Sequence, residues 1–364
     1  HRLDGLEIDA GRRVARIGAG VTAGALARAA AEHGLAAPVG LAPSVGVAGL
    51  ALGGGVGWLG RAHGLASSAI AALDVVTADG AARRVDAGSE PDLLFALRGG
   101  GGRYAIVTAL ELRLHPVDEV SAGMLAWPAE AAGEVLEQVR RAALDAPECL
   151  TLVVRVLSVP PLDAIPEPLR GRRIVAVVAA HLGPHQDARR LIAPLRSGAT
   201  LVDTFGPIGV ADLVTVAGDP EAPGPARGDG LLLEDLGPDA VAALTGVVED
   251  EELADALTIL EVRQLGGALG RPAAEPAALA RVDAGWAVFA GGFAPDAAAA
   301  ERVVSAIARV RERLAPHTAR QVLLNSRAAG ADPARAFDRD TWARLRRIHD
   351  AHDPDRLIVA AHGG

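Results

Sequence analysis

In the segment LTILEVRQL, Glu261 and Arg263 stand two residues apart. An extended backbone alternates its side chains, so both project from one face while Leu260, Val262 and Gln264 project from the other. A carboxylate beside a guanidinium offers charge-assisted hydrogen bonding, and its commonest outcome on an exposed strand is a surface ion pair. A second chemistry lies in the backbone. The uncharged stretch Ala36–Gly60, AAPVGLAPSVGVAGLALGGGVGWLG, is apolar enough to bury yet holds eight glycines. At Gly53, Gly54, Gly55 and Gly57 the missing β-carbons allow N–H groups close approach to a flat or phosphorylated ligand, and positive φ costs little there. A further run, Gly99–Gly102, follows downstream.

The other reactive residues give weaker signals. His349 and His352 lie three apart, with Asp353 beside them and His362 beyond. That spacing could bind a metal, but no clear fourth ligand or supporting shell accompanies it, so a solvated helix surface is expected and no metal site is assigned. His63 reads as a capping or packing residue, and His33 and His115 end elements. The single cysteine, Cys149, has no internal disulfide partner and is expected to sit in a domain core.

Elements must hold these groups in place. Residues 73–77 read as a strand that turns at Asp79-Gly80 and returns, so one hairpin separates the two glycine runs. Upstream, a strand over 13–17 runs through Gly18-Ala19-Gly20 into a helix over 22–33, with Thr22 as N-cap and Gly34 as its stop. This order imitates a nicotinamide-binding turn. The acidic ribose partner expected about twenty residues on is missing, because no Asp or Glu falls between Glu32 and Asp74. A membrane span over 36–60 is opposed by Pro38, Pro43 and the glycines, and a flexible linker by the apolar side chains it would leave in water. A buried tight turn with no ligand stays open on the Gly triplet alone.

From about Val120 the pattern changes. Strand-like runs at 151–159, 173–182, 257–265 and 285–292 alternate with helical stretches at 130–144, 186–195, 238–247 and 295–314, and 217–230 reads as a connecting loop. Antiparallel strands with helices on one face would leave the other sheet face free. A chain of 364 residues with 50% hydrophobic content suits two domains. The net charge of −9 argues against nucleic acid as a partner. Every basic residue is arginine, which excludes a catalytic lysine.

PSVGVAGLALGGGVGWLGRAHGL, followed by EPDLLFALRGGGGRYAIVTALELRLHP and then by WARLRRIHDAHDPDRLIV, resembles the berberine-bridge-enzyme-like oxidases of the vanillyl-alcohol-oxidase flavoprotein superfamily. The resemblance implies an α+β, two-domain FAD-linked oxidase fold: an FAD-binding domain plus a substrate domain whose antiparallel sheet carries helices on one face. It divides the chain into 1–118 (second lobe of the FAD-binding domain), 119–322 (substrate domain) and 323–364 (a segment returning to the FAD domain), and implies an earlier lobe not in this sequence.

By the same resemblance FAD is the cofactor, held by Pro43, Ser44, Val45, Gly46, Gly49, Gly53, Gly54, Gly55, Gly57, Gly102, Ala105, Val107 and Asn325. The equivalent strand faces the flavin in that family, so Glu261 could act as base and Arg263 could hold an acidic or carbonyl group, while Asn325 lies near the flavin. QVLLNSRAAG departs from the family's Tyr-x-Asn pattern, since Leu323 takes the tyrosine position and can neither accept nor donate a proton. Arg103 and Ala105 also replace the usual asparagine and glycine, Tyr104 is expected to pack rather than react, and Ala42 excludes a cysteinyl flavin bond at that position.

The implied activity is removal of hydride from a small organic substrate such as an alcohol, a sugar or a secondary metabolite, with oxygen or another acceptor taking the electrons. A catalytically degenerate binding or scaffold protein is the alternative. No transmembrane or targeting segment is visible, so a soluble protein with no membrane partner is the expectation; the compartment is unknown because an export signal would lie upstream, and the cytoplasm is favoured. Low aromatic content, at 3%, disfavours a sugar-stacking groove unless Trp286 supplies one.

Overall fold

The computed structural model describes residues 2–196, 198–219, 222, 224–327 and 332–359. Two antiparallel sheets organise them. The first contains β1 (Leu6–Asp9), β2 (Val14–Gly18), β3 (Ile70–Val76), β4 (Ala82–Val85) and β5 (Ile106–Arg113), in the order β1-β2-β5-β3-β4. Gly80 takes φ +79° in the β3–β4 turn, a conformation that costs glycine little. Helix α1 (Ala23–Ala31) starts where the Thr22 hydroxyl accepts the Ala25 N–H, and the chain leaves it through Gly34 at φ +67°. Short helices α2 (Val47–Leu52) and α3 (Gly60–His63) fall inside the glycine stretch, and α4 (Pro91–Leu97) leads into the second run. Leu26, Ile70, Leu73, Leu93, Leu97 and Leu110 make the core of this half.

The second sheet contains β6 (Val120–Pro128), β7 (Leu150–Ser158), β8 (Arg173–Leu182), β9 (Ala226–Leu233), β10 (Ile259–Gln264) and β11 (Trp286–Phe293), in the order β6-β8-β7-β10-β11-β9. Helices α5 (Ala132–Leu144), α6 (His185–Ile192), α7 (Pro238–Glu249), α8 (Glu251–Ala256) and α9 (Ala297–Leu314) bury Leu136, Ile192, Leu244, Leu253 and Ile307 against Val154, Val177, Val262 and Val288 on one face. The opposite face packs partly on the first half, where Val120, Val153 and Val178 meet Leu41, Trp58 and Leu59. Next to that apolar seam the same face carries Arg155, Glu261 and Arg263. Helix α10 (Arg339–His352) returns Leu345 and Ile348 to the first core.

One expectation needs correction, and one strand was not foreseen. The 217–230 segment is not all loop, because β9 begins at Ala226; glycines at 228 and 230 break its alternation, and they are needed because a β-carbon would strike Phe289 or Ser326. Strand β6 gave no sequence signal, since Gly123 interrupts it to admit the backbone of Thr204 and Phe205. Among the described residues, no helix is long and apolar enough to cross a membrane.

Candidate active site

The two glycine runs meet in space. The Gly101 N–H donates to the Leu52 carbonyl at 2.8 Å, and Gly49, Gly53 and Gly100–Gly102 line one cavity of about 180 Å³ with Arg103, Leu324 and Asn325. A β-carbon at Gly46 or Gly49 would meet open space, and at Gly101 or Gly102 only a leucine methyl at 3.7 or 3.9 Å. Of these four, Gly49, Gly101 and Gly102 line the cavity and leave backbone free of side-chain cover there, while Val45 and Ile106 are exposed apolar side chains.

Several of the other glycines allow close packing between protein segments. A β-carbon at Gly53 would meet the Asn325 side chain, at Gly54 and Gly99 it would meet Leu279, and at Gly55 it would meet Ala66 and Leu50. At Gly57 it would overlap the Val39 carbonyl. Of this set only Gly53 reaches the cavity. Ser44 is exposed and Pro43 half-buried against Gly24, whereas Ala105 is buried in the first core and Val107 packs on it, so neither lines a cavity.

A strap from Leu265 to Gly285 leaves the end of β10 and laces both runs. Its Ala278 and Leu279 N–H groups donate to the Phe95 and Arg98 carbonyls, and Leu279 wedges between Gly54 and Gly99. Two buried arginines tie it down. Arg98 donates to the Ile70 and Pro276 carbonyls and to Glu275. Arg61 donates to the carbonyls of Leu150, Ala146, Pro147 and Leu265. Burial pushes the ionisation of both guanidiniums down from the ordinary arginine value, and neither loses its charge.

Beyond Asn325 lies a second cavity, of about 270 Å³, lined by Val45, Leu50, Val56, Leu323, Asn325 and Ser326 on one side and by Arg155, Asp219, Glu261, Arg263 and Phe289 on the other. Asn325 borders both cavities, and its Oδ1 accepts the Gly55 N–H at 2.9 Å. Glu261 and Arg263 share a face as their spacing requires, but the pair is buried rather than superficial: Glu261 is 5% exposed. Glu261 lies opposite Arg155 on β7, which donates Nε to Oε2 at 2.8 Å with Nη2 at 2.6 Å from the same oxygen. Arg263 donates Nε and Nη2 to Oε1 at 3.0 and 2.5 Å. Burial would push the Glu261 carboxyl up, but the Arg263 and Arg155 charges outweigh it and hold the group below its ordinary value.

Arg155 and Asp219 were missed in the sequence. Arg155 was findable as the lone charge in TLVVRVLSV, while Asp219 lay in the stretch read as a connector. Arg155 Nη1 donates to Asp219 Oδ1 at 2.7 Å and to the Ala217 carbonyl at 2.6 Å.

The remaining candidates fall elsewhere. His349 is buried, not solvated: it stands edge-on to Tyr104 at 6.0 Å, with Nδ1 3.0 Å from Arg356. Tyr104 is fully buried, and desolvation pushes its hydroxyl ionisation up. His362 lies outside the described residues, among which no group of three His, Cys, Asp or Glu side chains could hold a metal. Cys149 is half-buried beside His181 at 3.4 Å rather than deep in a core, and Trp286 belongs to the helix-side core, away from both cavities. His63 stacks on His115 with ring centroids 3.9 Å apart.

Residues 1–86 match the family model described as FAD binding domain, and the two-sheet fold is that of solved FAD-linked oxidase structures. The chain is similar to (R)-6-hydroxynicotine oxidase of Paenarthrobacter nicotinovorans, 40% identical over 126 residues, which span 34% of this chain and 28% of that protein. The sequence match therefore covers little more than a quarter of that relative's length. The crystal structure of 6-hydroxy-D-nicotine oxidase from Arthrobacter nicotinovorans superposes with a TM-score of 0.82 at 26% identity, over 98% of this chain and 79% of that one. Berberine bridge enzyme from Eschscholzia californica shares the fold with a TM-score of 0.82 at 19% identity, over 99% of this chain and 78% of that one.

Proposed function

We propose that this chain removes hydride from a small organic substrate held in the 270 Å³ cavity, with FAD held against Gly46, Gly49, Gly101 and Gly102. The observation that carries this reading is Asn325, whose side chain pins the glycine loop and borders both cavities. FAD supplies the two-electron chemistry when bound, with oxygen or another acceptor taking the electrons. Residues 1–118 and 323–364 serve the cofactor and 119–322 the substrate.

Glu261 is a positioning residue in this reading rather than the base. Its two oxygens accept four N–H contacts from Arg155 and Arg263, which fills the lone pairs a proton would need. Leu323 cannot replace it. This shortage of proton acceptors favours a second reading, a flavoprotein fold that binds without turnover. Anaerobic titration separates the two: an oxidoreductase is yellow with FAD and bleaches with some member of a panel of alcohols, amines and hydroxy acids. A chain that binds FAD and never bleaches is the binding protein, and one that binds no FAD refutes both.

A further inference from the structure

The charged groups of the substrate cavity form a row of alternating sign, Asp219–Arg155–Glu261–Arg263. Its interior is saturated. Every N–H of Arg155 faces Glu261, Asp219 or the Ala217 carbonyl, and Glu261 accepts from both arginines. The two ends differ. Asp219 is the acidic end and accepts from Arg155. Arg263 is the basic end, where its Nη1 donates to the carbonyl of Val56 in the glycine loop at 3.0 Å. Three of its N–H groups are used by Val56 and Glu261, and a guanidinium has five, so two find no protein acceptor among the described residues. Both ends are more open than the interior: the Arg263 side chain keeps 20% exposure and Asp219 26%, against 4% for Arg155 and 7% for Glu261, but only Arg263 has N–H groups to spare.

We infer that the cavity selects an organic anion: a compact apolar body carrying a carboxylate or comparable oxyanion, with Arg263 as the residue that sets this specificity. This rests on the substrate role proposed above for the cavity. Taken together the row is neutral, Arg155 and Arg263 offsetting Asp219 and Glu261. An oxyanion at its open end extends the alternation by one member and accepts the two spare N–H groups in the bidentate manner a guanidinium favours. A cation there would face Arg263 directly, and an apolar group would leave two donors desolvated without a partner. Leu50, Val56, Ile259, Phe289 and Leu323 supply apolar wall for the rest of the molecule.

Isothermal calorimetry on the purified chain supplied with FAD tests this with three probes of one shape: benzoate, benzamide and benzylammonium. Benzoate is expected to bind at least about tenfold tighter than either other probe, a charge-assisted preference. Arg263→Gln should abolish that preference and Arg263→Lys should keep part of it, which separates charge recognition from a folding defect. The inference is overturned if benzamide matches benzoate, if benzylammonium binds most tightly, if no probe binds, or if Arg263→Gln leaves the preference intact. Failure to take up FAD, read separately by flavin fluorescence, would defeat both readings of the proposed function and not the anion preference itself, because the calorimetric ranking of the probes does not depend on turnover.

Discussion

Asn325 joins the two cavities through one amide. Replacing it by alanine leaves the N–H of buried Gly55 without its acceptor, at a cost of about 1–2 kcal/mol. A lower melting temperature and weaker FAD binding in a fluorescence titration are the expected outcomes, with Asn325→Asp milder because the acceptor remains. At Glu261 the expectation is harsher. Glu261→Gln removes the charge that offsets buried Arg155 and half-buried Arg263 and should destabilise the chain by about 3 kcal/mol in urea unfolding. Since the folded carboxyl is held below its ordinary value, the ion-pair contribution is present above the unfolded glutamate's pKa. It is lost as pH falls through the folded value. The shared face of Glu261 and Arg263 was legible from a two-residue spacing; the pairing with Arg155 was not, because register between strands more than a hundred residues apart is set by the whole sheet.

At the scale of elements, the seam where α3 meets the short strand at His115-Pro116 is marked by the stacked His63 and His115 rings. Burial, with the His63 and Arg113 charges, pushes His115 down to about 4. In the unfolded chain a histidine titrates near about 6.5, so between these values the unfolded state binds a proton that the folded state does not. Stability is therefore full above about 6.5 and falls toward pH 4, by about 2 kcal/mol. Urea unfolding at pH 7 and pH 5 should show the loss, and His115→Phe should remove most of it while keeping an aromatic ring against His63. Elements with strong periodicity were readable: α9 and β8 stand where their patterns put them. The strap was not, since its course is fixed by carbonyls and β-carbon-free surfaces that no local pattern encodes.

Across the whole molecule, Arg61 links the first sheet's lobe to the second sheet through carbonyls at the start of β7 and the end of β10. Arg61→Lys keeps the charge but loses the planar fork, and should cost about 3 kcal/mol because several buried carbonyls lose their donor. The loss should appear as a lower melting temperature and as earlier proteolytic cutting between the two halves. The fold class and the helix-covered sheet were legible because alternation and amphipathic spacing are local. Which glycines pack against protein was not, since that depends on what the distant Leu279 brings to Gly54 and Gly99. That wedge limits how the chain can be recombined: a hybrid taking its nucleotide-binding half from one homologue and its sheet from another would pair mismatched surfaces at Leu279. Such chimeras should succeed only when residues 265–285 travel with the glycine runs they fasten.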